Sequence, residues 1–147
     1  DFTTEGILDT TTTLGGAEAG AFDQAITKTD PAMVMMSLAT YQSIDPNNPA
    51  VFSSTIIDGH IRNALKYTGV VISDSMSAEA LSSYDVSQLG VKLVEAGGDM
   101  SCIGQTDYVK PIVDGLNERA KSDPAFASKV TAAATRVMAL KIKMGLA

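Results

Sequence analysis

The 147-residue chain has one cysteine, one histidine and no tryptophan, and each scarcity closes off some chemistry. With Cys102 alone, no intramolecular disulfide and no cysteine cage for a metal can form. With His60 alone, no metal site or proton relay that needs two histidines is available within the chain, so no metal and no cofactor is expected. Lys and Arg number 11 against 17 Asp and Glu, and they form no cluster. The resulting net charge of −6 excludes a nucleic-acid surface, which needs grouped cations to meet phosphates. It reads as a solubility feature. No apolar run reaches the ~18 residues of a membrane span, and "DFTTEG" at the start lacks the basic and apolar segments of a signal peptide. The first residue is not Met, so a processed, cut or engineered start is expected.

What is present is enough for one packed core. Hydrophobic residues make up 45% of the chain, which suits a single globular domain. Helix and strand signals alternate along it. Residues 16–28, "GAEAGAFDQAITK", place Ala17, Ala21, Phe22 and Ala25 at helical spacing, and Pro31 stops the helix. "AMVMMSL" (32–38) is an unbroken apolar run, expected to be a strand covered on both faces. The following stretch, with two prolines and paired asparagines, reads as a loop. Ser53 and Ser54 are candidate caps for a helix whose stripe is Ile56, Ile57, Ile61 and Leu65.

"TGVVIS" (68–73) is a second buried strand. After it come one short and one longer helix, the second capped by Asp85 and ended by Gly97-Gly98. "DMSCIG" (99–104) is a third strand. Residues 106–122 read as a weaker helix interrupted by Pro111 and Gly115. The last helix opens with Asp123 as cap and Pro124 in its first turn, and carries Phe126, Val130, Val137, Leu140 and Met144 inward. Thr10–Thr13 read as a loop. Such alternation predicts an α/β fold of parallel βαβ units with right-handed crossovers. Three strands cannot close a barrel, which needs eight and roughly 250 residues, so the expectation is a small open sheet or part of a barrel.

In either architecture reactive groups gather at the C-terminal ends of the strands. Asp74 stands at such an end in "GVVISDSM" (69–76), as do Ser37 after the first strand and Gly104 after the third. Asp99 lies at the start of the third strand and is expected to be structural. Asp74 is open to two readings, an N-cap for a helix starting near Ser77 or a reactive carboxylate.

The segment "VVISDSM" resembles the "GvviSDdlsM" signature of glycoside hydrolase family 3, in its bacterial β-N-acetylhexosaminidase branch. Further stretches match in order: "AMVMMSLATYQSIDPNNPAVFSS", "IIDGHIRNALKYTGVVISD", "VEAGGDMSCI" and "RVMALKIKMGL". The resemblance covers nearly the whole chain from about residue 18. It implies a partial (β/α)8 TIM barrel, strands six to eight with their helices, so that residues 1–147 are the C-terminal part of a catalytic barrel and a probable fragment. It also implies a retaining glycosidase hydrolysing terminal β-linked N-acetylhexosamine, with Asp74 as the nucleophile. Met76 and Ser37 become substrate-binding candidates.

The departures are equally specific. The branch takes its general acid/base from an Asp-x-His dyad and its sugar-binding Lys and His from a "KHFPGHG" stretch, and neither occurs here. Asp1 and Thr3 of "DFTT" fall about where the dyad belongs. His60 is expected to be a helix-surface or packing histidine, and Ser75 replaces the second acid of the signature. The isolated chain is therefore expected to be inactive. Its partners would be a carbohydrate substrate and either a complementary N-terminal half-barrel or another copy of the chain, because an open strand edge and an apolar inner face invite pairing. The alternatives are a non-catalytic half-barrel acting as an assembly module, or a β-glucosidase-type member. A cell-envelope or extracellular location is favoured over the cytoplasm.

Overall fold

The computed structural model describes residues 6–147. In chain order these form β1 (Leu8–Asp9), α1 (Ala17–Thr29), β2 (Met33–Met36), β3 (Thr40–Tyr41), a π-helix (Thr55–Ala64), β4 (Val70–Ser75), α2 (Val86–Ala96), β5 (Met100–Cys102), α3 (Val109–Ser122) and α4 (Pro124–Lys143). Three parallel strands make one sheet in the order β2-β4-β5, and β1 pairs with β3 in a separate two-stranded ribbon. The α/β class with a parallel sheet is as the alternation implied.

The core lies between the sheet and the helices. Met36 and Val71 meet Ile57, Ile61, Leu89, Leu93 and Ile112 in one buried cluster. Each such side chain contributes about 1.5–3 kcal/mol by leaving water. Asp85 and Asp123 cap α2 and α4 as their positions suggested, accepting hydrogen bonds from Ser87 N–H in one case and from Ala125 and Phe126 N–H in the other. Gly97 ends α2 at φ 104°, where a Cβ would sit 2.1 Å from Asp58 Oδ1, so only glycine fits.

Several expectations need correction. The first strand is shorter than 32–38 and is open on one face: Met33 and Met35 are 43% and 65% exposed, because none of the described elements covers that side of β2. In α1 the expected inward face is outside. Phe22 is 72% exposed and Ile26 is the buried residue, since the helix is rotated to bring Asp23 onto His60. Thr40–Tyr41, in a stretch that read as a loop, pairs as a short strand with Leu8–Asp9, to which no element was assigned.

The helix after Ser53 winds wide, with Gly59 N–H reaching Ser54 O and Leu65 N–H reaching His60 O. Glu79–Leu81 is one 3₁₀ turn where a short helix was expected. Residues 109–122 are one continuous helix: Pro111 falls in its first turn, and Gly115 is buried where a Cβ would meet Ser87 O at 1.9 Å, so it allows α2 and α3 to pack closely. In α4 only Phe126 and Ala133 are buried, and Met144 is 58% exposed.

Candidate active site

The candidate site lies at the C-terminal edge of the sheet, where the strand order places Asp74 on the central strand. The ladder is irregular at that point. Ile72 pairs with Met100 and Ser75 with Cys102, so β4 advances three residues while β5 advances two, and the extra residue makes a bulge at Ser73-Asp74. The buried Ser73 hydroxyl accepts a hydrogen bond from Cys102 N–H at 2.9 Å and so supplies a partner where the ladder is broken. Met76 N–H then donates to Cys102 O at 2.8 Å, which resumes the pairing beyond the bulge. Sequence reasoning missed Ser73. Its only signal was a hydroxyl in an otherwise apolar strand run.

Asp74 is half-buried. Its Oδ1 accepts the N–H of Ser75 at 2.7 Å, and Oδ2 has no hydrogen-bond partner among the described residues. The helix-cap reading is overturned: no helix starts at Ser77, the next turn has Ala78 as its N-cap, and that cap makes no side-chain bond. A carboxylate held by one backbone donor keeps an oxygen available for attack or for proton transfer.

Around it stands a group of hydroxyls and one glycine. Ser75 Oγ and Ser77 Oγ lie 3.1 Å apart, and Gly104 N–H donates to Ser77 Oγ at 3.1 Å. Ser37 follows Met36, whose registered partner is Ser73, so Ser37 and Asp74 each come one residue after the last registered pair, at the same edge of the sheet. The Ser37 hydroxyl accepts Ala39 N–H and its carbonyl accepts Val51 N–H. Met76 is a different matter. At 1% exposure it is packed in the core, which leaves it no surface for a sugar and corrects its reading as a substrate contact.

The loop behind Ser37 is organised by Asp45. Its carboxylate accepts hydrogen bonds from Ser53 Oγ at 2.7 Å, Asn48 Nδ2 at 3.2 Å and Asn47 N–H at 3.2 Å. Partial burial pushes its pKa up, but these donors outweigh that and hold it below the usual carboxylate value. Ser53 in turn accepts Ile56 N–H, so it caps the π-helix while donating to Asp45.

The other singled-out residues are elsewhere. His60 bonds Asp23 at 2.7 Å across α1 and the π-helix, as a packing histidine would. Asp99 is at the opposite end of the sheet, fully buried and bound by Arg62, Arg136 and Val71 N–H. Burial pulls the Arg62 guanidinium below its ordinary pKa, with Asp99 opposing. Asp1 and Thr3 lie outside the described residues. Among the described residues no group of three or more His, Cys, Asp or Glu is placed to hold a metal ion, and no helix is long and apolar enough to cross a membrane.

Comparison with known proteins shows the family and the fold. A β-N-acetylhexosaminidase from Beutenbergia cavernae is 35% identical, superposes with a TM-score of 0.87 over 96% of this chain, and is itself covered to 42%. A family 3 β-N-acetylglucosaminidase from Paenibacillus is 27% identical with a TM-score of 0.83, covering 95% of this chain and 27% of that one. A curated protein of Arthroderma benhamiae, described as an uncharacterized secreted glycosyl hydrolase, is 36% identical over 69 residues, 46% of this chain and 20% of its own. The chain thus spans less than half the length of each of these relatives. The family model described as the glycosyl hydrolase family 3 N terminal domain matches residues 7–140, and the chain belongs to that family.

Proposed function

We propose that this chain is the nucleophile-bearing part of a retaining glycosidase, corresponding to strands six to eight of a (β/α)8 barrel. The observation that carries the reading is Asp74: a half-buried carboxylate in a bulge at the C-terminal end of the central parallel strand, with one oxygen unbonded among the described residues. Retaining hydrolysis uses two carboxyl groups about 5–5.5 Å apart, one attacking the anomeric carbon and one protonating the leaving group. Asp74 is suited to the first role, since the bond from Ser75 N–H holds Oδ1 and orients the carboxylate with Oδ2 left for attack. Attack by Oδ2 breaks the bond to the leaving oxygen and forms a glycosyl ester, which water then opens.

The relatives named for β-N-acetylhexosaminidase and β-N-acetylglucosaminidase activity support a terminal β-linked N-acetylhexosamine as substrate. Ser37, at the same edge of the sheet as Asp74, is the candidate sugar contact. The secreted Arthroderma relative supports a location outside the cytoplasm.

A second reading, a non-catalytic module, is favoured by one observation: the single histidine is bonded to Asp23 and is not placed to act with Asp74. The isolated chain then lacks its proton donor, an omission worth about 10²–10⁴ in rate. Trapping with a fluorinated N-acetylglucosaminyl donor separates the readings, run with the chain alone and after adding the remaining part of a related hexosaminidase. Covalent label on Asp74 is the expected result. Absence of label under both conditions excludes the nucleophile role, and unaided turnover of a nitrophenyl N-acetylglucosaminide excludes the missing acid.

A further inference from the structure

Where β4 leaves the ladder it carries a serine at every second position, 73, 75 and 77, with Asp74 among them. Asp74 and Ser75 are half-buried, whereas the residues on either side are sealed in: Ser73 is 0% exposed and Met76 is 1% exposed. Asp74 and Ser75 thus form a short arch with both feet in the core. Among the described residues the only hydrogen bond to the Asp74 side chain comes from Ser75 N–H, inside the arch itself. The direction in which Oδ2 points is therefore set by how the backbone of residues 73–77 is held.

Three bonds hold it, all from one neighbouring segment. Cys102 N–H donates to Ser73 Oγ at 2.9 Å, Met76 N–H donates to Cys102 O at 2.8 Å, and Gly104 N–H donates to Ser77 Oγ at 3.1 Å. The amides of Cys102 and Gly104, two residues apart, thus end on serine hydroxyls that stand one on each side of Asp74. Ser77 Oγ also pairs with Ser75 Oγ at 3.1 Å, which ties the outer foot of the arch to its top. Every partner belongs to β4, β5 or the turns directly after them, so the arrangement is independent of the outer edges of the sheet.

We propose that Ser73 and Ser77 are positioning residues for attack by Asp74. This rests on the reading of Asp74 as the nucleophile and adds how its carboxylate is aimed. Ser73 is too deeply buried to meet a sugar, and Ser77 uses its hydroxyl on Gly104 N–H and Ser75, so both act through the backbone. A bulge breaks the ladder and frees the chain to swing; a hydroxyl bond on either side of Asp74 removes that freedom. The gain is in rate, because a reacting group misplaced by about 1 Å loses about 10²-fold.

Labelling by a fluorinated N-acetylglucosaminyl donor tests this, with the chain alone and with the remaining part of a related hexosaminidase. In that step a bond forms from Asp74 Oδ2 to the anomeric carbon while the leaving group departs with its electron pair. A donor whose leaving group is a stable anion needs no proton donor, so the missing acid does not limit the rate. Ser77→Val should lower the labelling rate at saturating donor at least about tenfold and leave the half-saturating concentration unchanged. Ser77→Thr, which has the shape of valine and restores the hydroxyl, should recover the rate. Ser73→Ala should act as Ser77→Val does. The Gly104 amide should exchange faster in Ser77→Val than in the parent or Ser77→Thr. Ser77 is half-buried, so its variants should keep the parent's circular dichroism spectrum even where Ser73→Ala does not fold. A labelled parent whose Ser77→Val variant matches it at saturation, or differs only in half-saturation, overturns the positioning role and leaves the nucleophile reading standing. A slow Ser77→Val that Ser77→Thr does not rescue overturns it too, since bulk is then the cause. A parent unlabelled under both conditions removes the nucleophile reading, and this proposal with it.

Discussion

Two aspartates stand at opposite ends of the same parallel sheet and are treated in opposite ways. Asp99, at the N-terminal side, is fully buried with both oxygens occupied: Oδ1 by the Arg136 guanidinium, Oδ2 by Arg62 and by Val71 N–H. Asp74, at the C-terminal side, is half-exposed and has one backbone donor. A buried carboxylate with both oxygens bonded has nothing left to offer a reactant, and its removal strands two guanidiniums. A carboxylate with a free oxygen contributes little to folding and is available for chemistry. Saturation of hydrogen bonds, more than burial, divides the structural end of the sheet from the reactive end.

The comparison can be broken by substitution. Asp99→Ala should have the largest effect, a loss of about 3–5 kcal/mol in chemical denaturation, because it leaves Arg62 and Arg136 without their shared anion. A loss below about 1 kcal/mol would show that water replaces the carboxylate and that this end is not a clamp. Ser73→Ala should cost about 1–3 kcal/mol, since Cys102 N–H loses its acceptor in the bulge. The same change should raise the hydrogen-exchange rate of the Cys102 amide above that of its neighbours. Asp74→Asn should have the smallest effect on stability, within about 0.5 kcal/mol of the parent, while abolishing label from the fluorinated donor. An Asp74→Asn chain destabilised as much as Asp99→Ala would remove the distinction between the two ends.

The parts of the fold that could be read from the sequence are those set by local chemistry. Asp85 and Asp123 cap helices because a short acid before an apolar periodic run has few other uses. Asp99 was legible as structural and Asp74 as a strand-end acid from position alone. What was not legible depends on tertiary partners. Periodicity gave α1 an apolar face at Phe22, but the helix turns Ile26 and Asp23 inward because His60 waits on the π-helix. Met33 and Met35 read as doubly covered, yet no spacing rule says whether a second layer is supplied by the same chain. The wide winding at Thr55–Ala64 follows from bonds such as Gly59 N–H to Ser54 O, which side-chain pattern does not encode. In the candidate site, Asp74 was legible as a strand-end acid but its cap role was wrong, and the bulge held by Ser73 was missed because it depends on the neighbouring strand.

The Asp99 clamp also sets an order of assembly. Its two guanidinium partners each lie 37 residues away, Arg62 before it and Arg136 after it. Closing it therefore requires the ordering of two long loops, an entropic cost met only late in folding. The Arg62 half can form once β4 and β5 are paired, but Arg136 docks only when α4 has been made and turned back. The sheet can stand with Asp99 held by Arg62 alone until α4 is made, so the docking of Arg136 marks the seating of α4 against the sheet.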